Sequence, residues 1–291
     1  MKRNFKGIPL IIMAALLWGL GGFFSKISVT SLGPWKSALI RTIVFFPIVI
    51  GYVISRSEFN LKLEKRSIFS IGAGLTVGLG IILVRLSLSF YEVSVVKPIQ
   101  RLSILVTVVL SVYILGEKIT IKKGLGVALA LLAFFLLFPL NSNILDIEIG
   151  HLYLVTLILS LGLTTIFLRL GILKDGLNQA RFYRAVGQTL IVVFAVILVT
   201  GFTGLSIPMS HNIIYPALNG VLGAGAFILF CSGLETVDAS TAKPIIIIST
   251  ITSVILGILL LGETVTIEKI SGIILAVIAV ALLSYERKTK S

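Results

Sequence analysis

Apolar residues fill this chain in long runs, and polar residues collect in the short gaps between them. A helix that crosses a bilayer needs about 20 predominantly apolar residues. Runs of that kind fall at 7–25, 36–54, 68–88, 94–115, 123–140, 150–168, 180–200, 213–233, 240–261 and 268–285. Ten spanning helices are therefore predicted. Membrane strands alternate apolar and polar positions, and these runs do not. The gaps leave no room for a separate soluble domain. The first run follows Met1, Lys2 and Arg3. It is too long for a typical signal-peptide core, and no small-residue cleavage site clearly ends it. It is read as the first span.

Basic residues in the gaps give an orientation, because cytoplasmic loops carry the Lys/Arg excess. Lys2, Arg3 and Lys6 precede the first span, and Arg56, Lys62, Lys65 and Arg66 follow the second. Lys118, Lys122 and Lys123 follow the fourth, and Arg287, Lys288 and Lys290 follow the tenth. In a ten-span chain these all lie on one side. Segments 141–149 and 201–212, on the other side, hold no Lys or Arg. Both termini are predicted to be cytoplasmic, in a cytoplasmic-membrane protein.

The chain also repeats itself. Shifted by 146 residues, Ser94–Gly126 lies over Ser240–Gly272 without a gap, with 14 of 33 positions identical. Lys97-Pro98-Ile99 meets Lys243-Pro244-Ile245, and Leu115-Gly116-Glu117 meets Leu261-Gly262-Glu263. A shift of 143 pairs Gly19 with Gly162, Lys26 with Arg169, Gly33 with Gly176 and Arg41 with Arg184. The predicted architecture is an all-α integral membrane protein of two five-helix units, residues 1–140 and 141–291. Five is odd, so successive copies enter the membrane from opposite sides. They form inverted repeats, an arrangement common among secondary transporters that work by alternating access.

Composition agrees. Of 291 residues, 57% are hydrophobic and 13% charged, against roughly 45–50% and about 25% in soluble proteins. Mean hydropathy is +1.10. The formal net charge is +13, but the basic residues sit beside spans, so topology explains them better than nucleic acid does. Cys231 is the only cysteine, and His151 and His211 are the only histidines. No metal cluster is expected, and no cofactor or ATP-binding motif is present. No enzyme signature is found either.

These features together resemble the drug/metabolite transporter superfamily, EamA type. The residues that carry the likeness are Trp18-Gly19 in the first span, Arg41 and Arg184 within the second and seventh, and Pro98…Glu117 with Pro244…Glu263 closing the fourth and ninth. The likeness covers nearly the whole chain. It implies transport of amino acids, metabolites, nucleotide sugars or sugar phosphates. It also implies a site near the midplane between the first, third, fourth, sixth, eighth and ninth spans. Lys97 and Lys243 depart from the family pattern, where an apolar residue usually precedes each proline. That speaks against a generic exporter of hydrophobic compounds.

Charges inside spans are expensive, about 2.5–3.5 kcal/mol each on insertion scales, and usually face a cavity or a partner. None of the twelve carboxylates lies mid-span, so the usual relay for proton or sodium coupling is missing. That favours facilitated transport or exchange. Lys97 and Arg101 share one helix face, four residues apart. With Lys243, Arg85, Trp18 and Asn219 they form the candidate substrate site, Arg offering bidentate contacts and Lys a point charge. The alternative for Lys97 and Lys243 is snorkelling or pairing with Glu92 and Asp238. Arg41 and Arg184 are expected to be structural, at helix ends. Glu117 and Glu263 are expected to serve caps, with Thr120 and Thr266 as N-caps of the following helices, and a gate role is the alternative. Pro98 and Pro244 are expected to bend their helices. Gly74 and Gly78 form a small-xxx-small pair for close packing. Gln100, Gln188 and Tyr183 are further residues able to line a cavity.

The sequence thus points to a secondary transporter of a small anionic or zwitterionic metabolite, as monomer or homodimer. Its partners are that solute and the lipid bilayer, with no nucleic acid. The rivals are an exporter of hydrophobic amino acids or drugs, a channel, and a membrane scaffold.

Overall fold

The computed structural model describes residues 7–55, 67–115, 121–137, 149–205, 210–234 and 239–284. Among these, eleven α-helices follow one another. They are α1 (Gly7–Leu32), α2 (Pro34–Ile54), α3 (Ile68–Phe90), α4 (Val93–Arg101), α5 (Ser103–Leu115) and α6 (Ile121–Leu137). Then come α7 (Ile149–Asp175), α8 (Leu177–Thr200), α9 (Ile214–Leu234), α10 (Ala239–Leu261) and α11 (Ile267–Ser284). No strand occurs among the described residues. Seven helical stretches are long and apolar enough to cross a membrane, and Gly124–Leu137 and Ile245–Leu261 are apolar but shorter. Large apolar side chains such as Phe135, Leu173, Leu198 and Leu259 stand exposed on the outside. Lipid is the solvent that suits such a surface.

Three elements differ from the sequence expectation. The first helix does not stop at residue 25 but continues to Leu32, because Lys26 finds acceptors. Its Nζ donates to the carbonyls of Leu88 (2.6 Å) and Tyr91 (2.8 Å) at the end of α3. The sixth run extends to Asp175, with Lys174 lying 4.0 Å from the centre of the Phe69 ring. The fourth run, expected as one helix, is jointed at Leu102. There the Leu102 N–H bonds to Ile99 O (3.0 Å) and the Leu105 N–H to Leu102 O (2.9 Å), tighter i→i+3 bonds. Its repeat-mate α10 is continuous.

Two sharp turns depend on glycine. Gly33 (φ 78°, ψ 166°) precedes α2 and Gly176 (φ 83°, ψ 166°) precedes α8. These left-handed-side values suit a residue without Cβ. The two positions are also partners in the sequence repeat.

Packing crosses between the repeats. α1 lies on α9 and α3 on α7, while α2 meets α8 and α6 meets α11. Individual contacts recur as well. A Cβ on Gly19 would come within 3.1 Å of Ser249 O and press on Thr252. A Cβ on Gly162 would come within 3.1 Å of Ser103 O and press on Val106. Ser103 and Val106 are the repeat-mates of Ser249 and Thr252. α3 and α8 approach through Gly74, Gly78 and Gly187, where added Cβ atoms would strike the opposite backbone. This small-residue seam brings Arg184 and Gln188 to the interior.

Candidate functional site

The inner ends of these contacts surround a cavity of about 230 Å³. α1 contributes Trp18, Gly21 and Ser25, and α2 contributes Arg41 and Phe45. Arg85 comes from α3, and Lys97, Gln100 and Arg101 come from α4. α8 supplies Arg184 and Gln188, α9 supplies Asn219, Gly223 and Phe227, and α10 supplies Ser249 and Ser253. Five cations line the cavity and no carboxylate does, among the described residues.

The five cations are held differently. Arg85 is 3% exposed and its donors are used. Nε bonds to Ser37 Oγ (3.1 Å), Nη1 to Ile81 O (3.0 Å) and Nη2 to Asn219 Oδ1 (3.0 Å). Asn219 in turn donates to Ser25 Oγ (2.9 Å) and to Gly21 O. The network ties α1, α2, α3 and α9 together. Arg101 reaches from α4 to α10, with Nε on Thr250 Oγ1 (3.0 Å) and Nη2 on Ser249 Oγ. Lys97 runs its stem into a slot left by Gly22, whose Cβ would sit 2.6 Å from Lys97 Cε.

Arg41 and Arg184 are different again. Each guanidinium lies on an aromatic face: Arg41 4.6 Å from the Phe45 centroid, Arg184 4.4 Å from that of Phe227. The two rings are 6.1 Å apart. The cation–π contacts hold both guanidinium groups against the rings. Gly223 leaves room for Arg41 Nη2, which a Cβ there would approach to 3.0 Å. Arg41 Nη1 and Arg184 Nε and Nη1 are buried without a hydrogen-bond partner, as are Gln188 Nε2 and Gln100 Oε1. The buried N–H groups among these are costly unless something arrives to accept from them, and the Gln100 oxygen is left without a donor.

A second polar cluster closes one end of the bundle. Glu263 is 7% exposed and accepts from the backbone N–H groups of Val93 (2.7 Å) and Ser94 (2.9 Å). It thereby caps α4, the helix carrying Lys97 and Arg101, from across the molecule. Gly262, at φ 66°, turns the chain back after α10 so that Glu263 reaches this position. Glu92 pairs with Lys269 and accepts from Thr264 Oγ1 (3.3 Å). Partial burial pushes the Glu92 carboxyl up, but Lys269 and Thr264 outweigh it and hold it below the ordinary carboxylate range. The Glu92 carboxylate is ionised at neutral pH.

Of the residues singled out from sequence, Trp18, Arg85, Lys97, Arg101 and Asn219 meet in the cavity wall, with Gln100 and Gln188. Arg41 and Arg184 are there too, about two turns into α2 and α8 and not at helix ends. Glu92 pairs with Lys269 and not with Lys97. Pro98 is buried beside Ile247, Thr250 and Ala276, away from the cavity. Tyr183 is buried outside the lining. Glu263 caps α4, while Thr266 caps α11 by accepting from the Lys269 N–H (3.3 Å). Lys243 and Pro244 fall within α10, but their side chains lie outside the described residues, as does Glu117. The sequence reading passed over Phe45, Phe227, Ser25, Ser249 and Ser253. Only Ser249 carried a signal, as the repeat-mate of Ser103.

Comparison with known proteins agrees with this layout. A solved structure superposes with a TM-score of 0.65 at 13% identity, covering 95% of this chain and 96% of its own. The riboflavin transporter ImpX of Fusobacterium nucleatum is 24% identical over 98% of this chain and 99% of its own length. The uncharacterized transporter YoaV of Bacillus subtilis is 24% identical over 91% and 92%. The S-adenosylmethionine uptake transporter of Rickettsia prowazekii is 22% identical over 99% and 95%. The model of the EamA-like transporter family matches residues 5–138 and again 148–285. With both stretches matched and the apolar helices in place, this multi-pass membrane protein belongs to the EamA-like transporter family.

Proposed function

We propose that this protein is a secondary transporter that carries a small anionic or zwitterionic metabolite across the cytoplasmic membrane. It alternates access between two inverted five-helix units, residues 1–140 and 141–291, with both termini cytoplasmic. The observation that carries this reading is the cavity itself. Helices from both units line it, and among the described residues its charged side chains are all cationic. The exchanged contacts of Gly19 and Gly162 support a two-fold relation between the units. α4 and α5 together count as one span in this reading, which gives ten. The substrates in the relatives' names, riboflavin and S-adenosylmethionine, are of metabolite size and support that scale of cargo.

Lys97, Arg101, Lys243, Arg85, Trp18 and Asn219 form the substrate site, and Arg41 and Arg184 join them. Glu263 on α4 is the closed gate at the outer face. Opening that side breaks its bonds to Val93 and Ser94 and frees α4 to move with Lys97. Glu117, its repeat-mate, takes the same part at the opposite face. A hydrophobic-drug exporter is disfavoured, since such a cargo leaves the five cationic side chains of the cavity wall unanswered.

The site assignment is tested with Lys97→Ala and Lys243→Ala in purified protein. Each is expected to weaken binding of a charged ligand at least tenfold while the protein still elutes as one monodisperse peak. Unchanged affinity in both variants contradicts the assignment.

A further inference from the structure

We propose that the cargo is a small organic oxyanion with two or more negative charges and no ammonium group. This rests on the reading of the cavity as the transport site and narrows it. The acceptor side of the lining is poor. Its described charged groups are Arg41, Arg85, Lys97, Arg101 and Arg184, with no Asp or Glu among them. An ammonium group placed there meets like charge at short range and finds only neutral oxygens as acceptors. An amino acid therefore gains from its carboxylate and loses from its amine.

The donor side is rich and already aimed. Arg85 and Arg101 have hydrogen-bonded their donors to serine, threonine, asparagine and a backbone carbonyl. Those bonds fix the side chains but leave their charge uncompensated. Arg41 and Arg184 each lie over a phenylalanine ring and carry buried N–H groups without partners. A planar guanidinium edge held in this way matches the paired oxygens of a carboxylate or phosphate. Two such edges lie on the linked Phe45 and Phe227 rings. One negative charge leaves most of the cationic charge unbalanced, and a dianion balances more of it at the same desolvation cost to the walls. The shared chemistry is that of a dicarboxylate or a phosphate monoester.

The test uses purified full-length protein, titrated with succinate, its monoamide succinamate, glycerol 3-phosphate, glycerol and leucine at matched ionic strength. The thermal midpoint is read. At least one of the two dianions is expected to raise it saturably, with an apparent Kd at least tenfold below that of its less charged partner. Which one does so separates the dicarboxylate from the phosphate monoester. Arg184→Lys keeps the charge but loses the planar edge, and is expected to weaken that dianion at least tenfold. A responding dianion that binds no more tightly than its less charged partner, a saturable response to leucine alone, or no saturable response to either dianion overturns the proposal. The same solutes are then offered to proteoliposomes. Carriage of leucine without binding of either dianion keeps the transport reading and removes the charge class. Tight dianion binding without carriage of any solute does the reverse.

Discussion

Gly74→Val is expected to abolish monodisperse protein in detergent. A Cβ at Gly74 would lie 2.8 Å from Gln188 N and 2.8 Å from Gly187 Cα, and closer still to Arg184 O. These are backbone atoms in the middle of α8, so no rotamer change relieves the clash. Gly187 is tight in return, with its Cβ position 3.2 Å from Gly74 Cα. Overpacking a well-filled interior typically costs about 1–3 kcal/mol where side chains can shift, and here only a helix can. Separating α3 from α8 also withdraws Arg184 and Gln188 from the cavity wall. Gly51 is the control, since a Cβ there meets nothing within 4 Å. Gly51→Ala is expected to leave the thermal midpoint unchanged or raise it, by roughly 0.5–1 kcal/mol in helix stability. Size-exclusion profiles and thermal midpoints of the two variants check both outcomes. Wild-type behaviour of Gly74→Val would contradict the close approach of α3 and α8.

The second large effect divides the arginines. Arg184→Gln is expected to raise the thermal midpoint of ligand-free protein, by roughly 0.5–2 kcal/mol as at other sites that trade stability for function. It removes a buried charge whose Nε and Nη1 have no partner, together with its repulsion toward the other cations. The same change removes a charged donor from the substrate. Binding and carriage are expected to fall about 10- to 100-fold, the worth of one such bond. Arg85→Ala is expected to act in the opposite sense on stability. It leaves Ser37 and Asn219 without their donor and cuts the tie between α1, α2, α3 and α9. Hydrogen bonds to charged groups are worth about 1.5–3 kcal/mol each, so the midpoint falls. If both variants shift the midpoint in the same direction, the division between bracing and cargo-facing arginines is wrong.

How much of this was legible in the residues depends on the range of the interaction. Apolar runs set helices along the chain, and the Gly33 and Gly176 turns stood out because the repeat aligned them. Rotation about a helix axis was harder to read. Polar residues such as Lys36, Ser37, Asn178 and Gln179 gather in the first two turns of α2 and α8, so position along the helix was easier to read than the face that looks inward. The match across the repeat and the family likeness point Arg41 and Arg184 to a structural role at helix ends, whereas they lie over the Phe45 and Phe227 rings in the cavity wall. The helix limit at Lys26 and the helix that Glu263 caps were illegible for another reason. Lys26 bonds to carbonyls 62 and 65 residues away, and Glu263 to N–H groups 170 and 169 residues away. No local pattern encodes such partners.

Solute counterflow tests the central claim most directly. Proteoliposomes are loaded with unlabelled succinate or glycerol 3-phosphate, whichever binds more tightly, and diluted into the labelled compound. A carrier whose cavity opens alternately to each side predicts a transient overshoot of label that saturates with outside concentration and disappears in Arg184→Gln. Uptake that rises linearly with concentration, with no stimulation by solute on the opposite side, would contradict it.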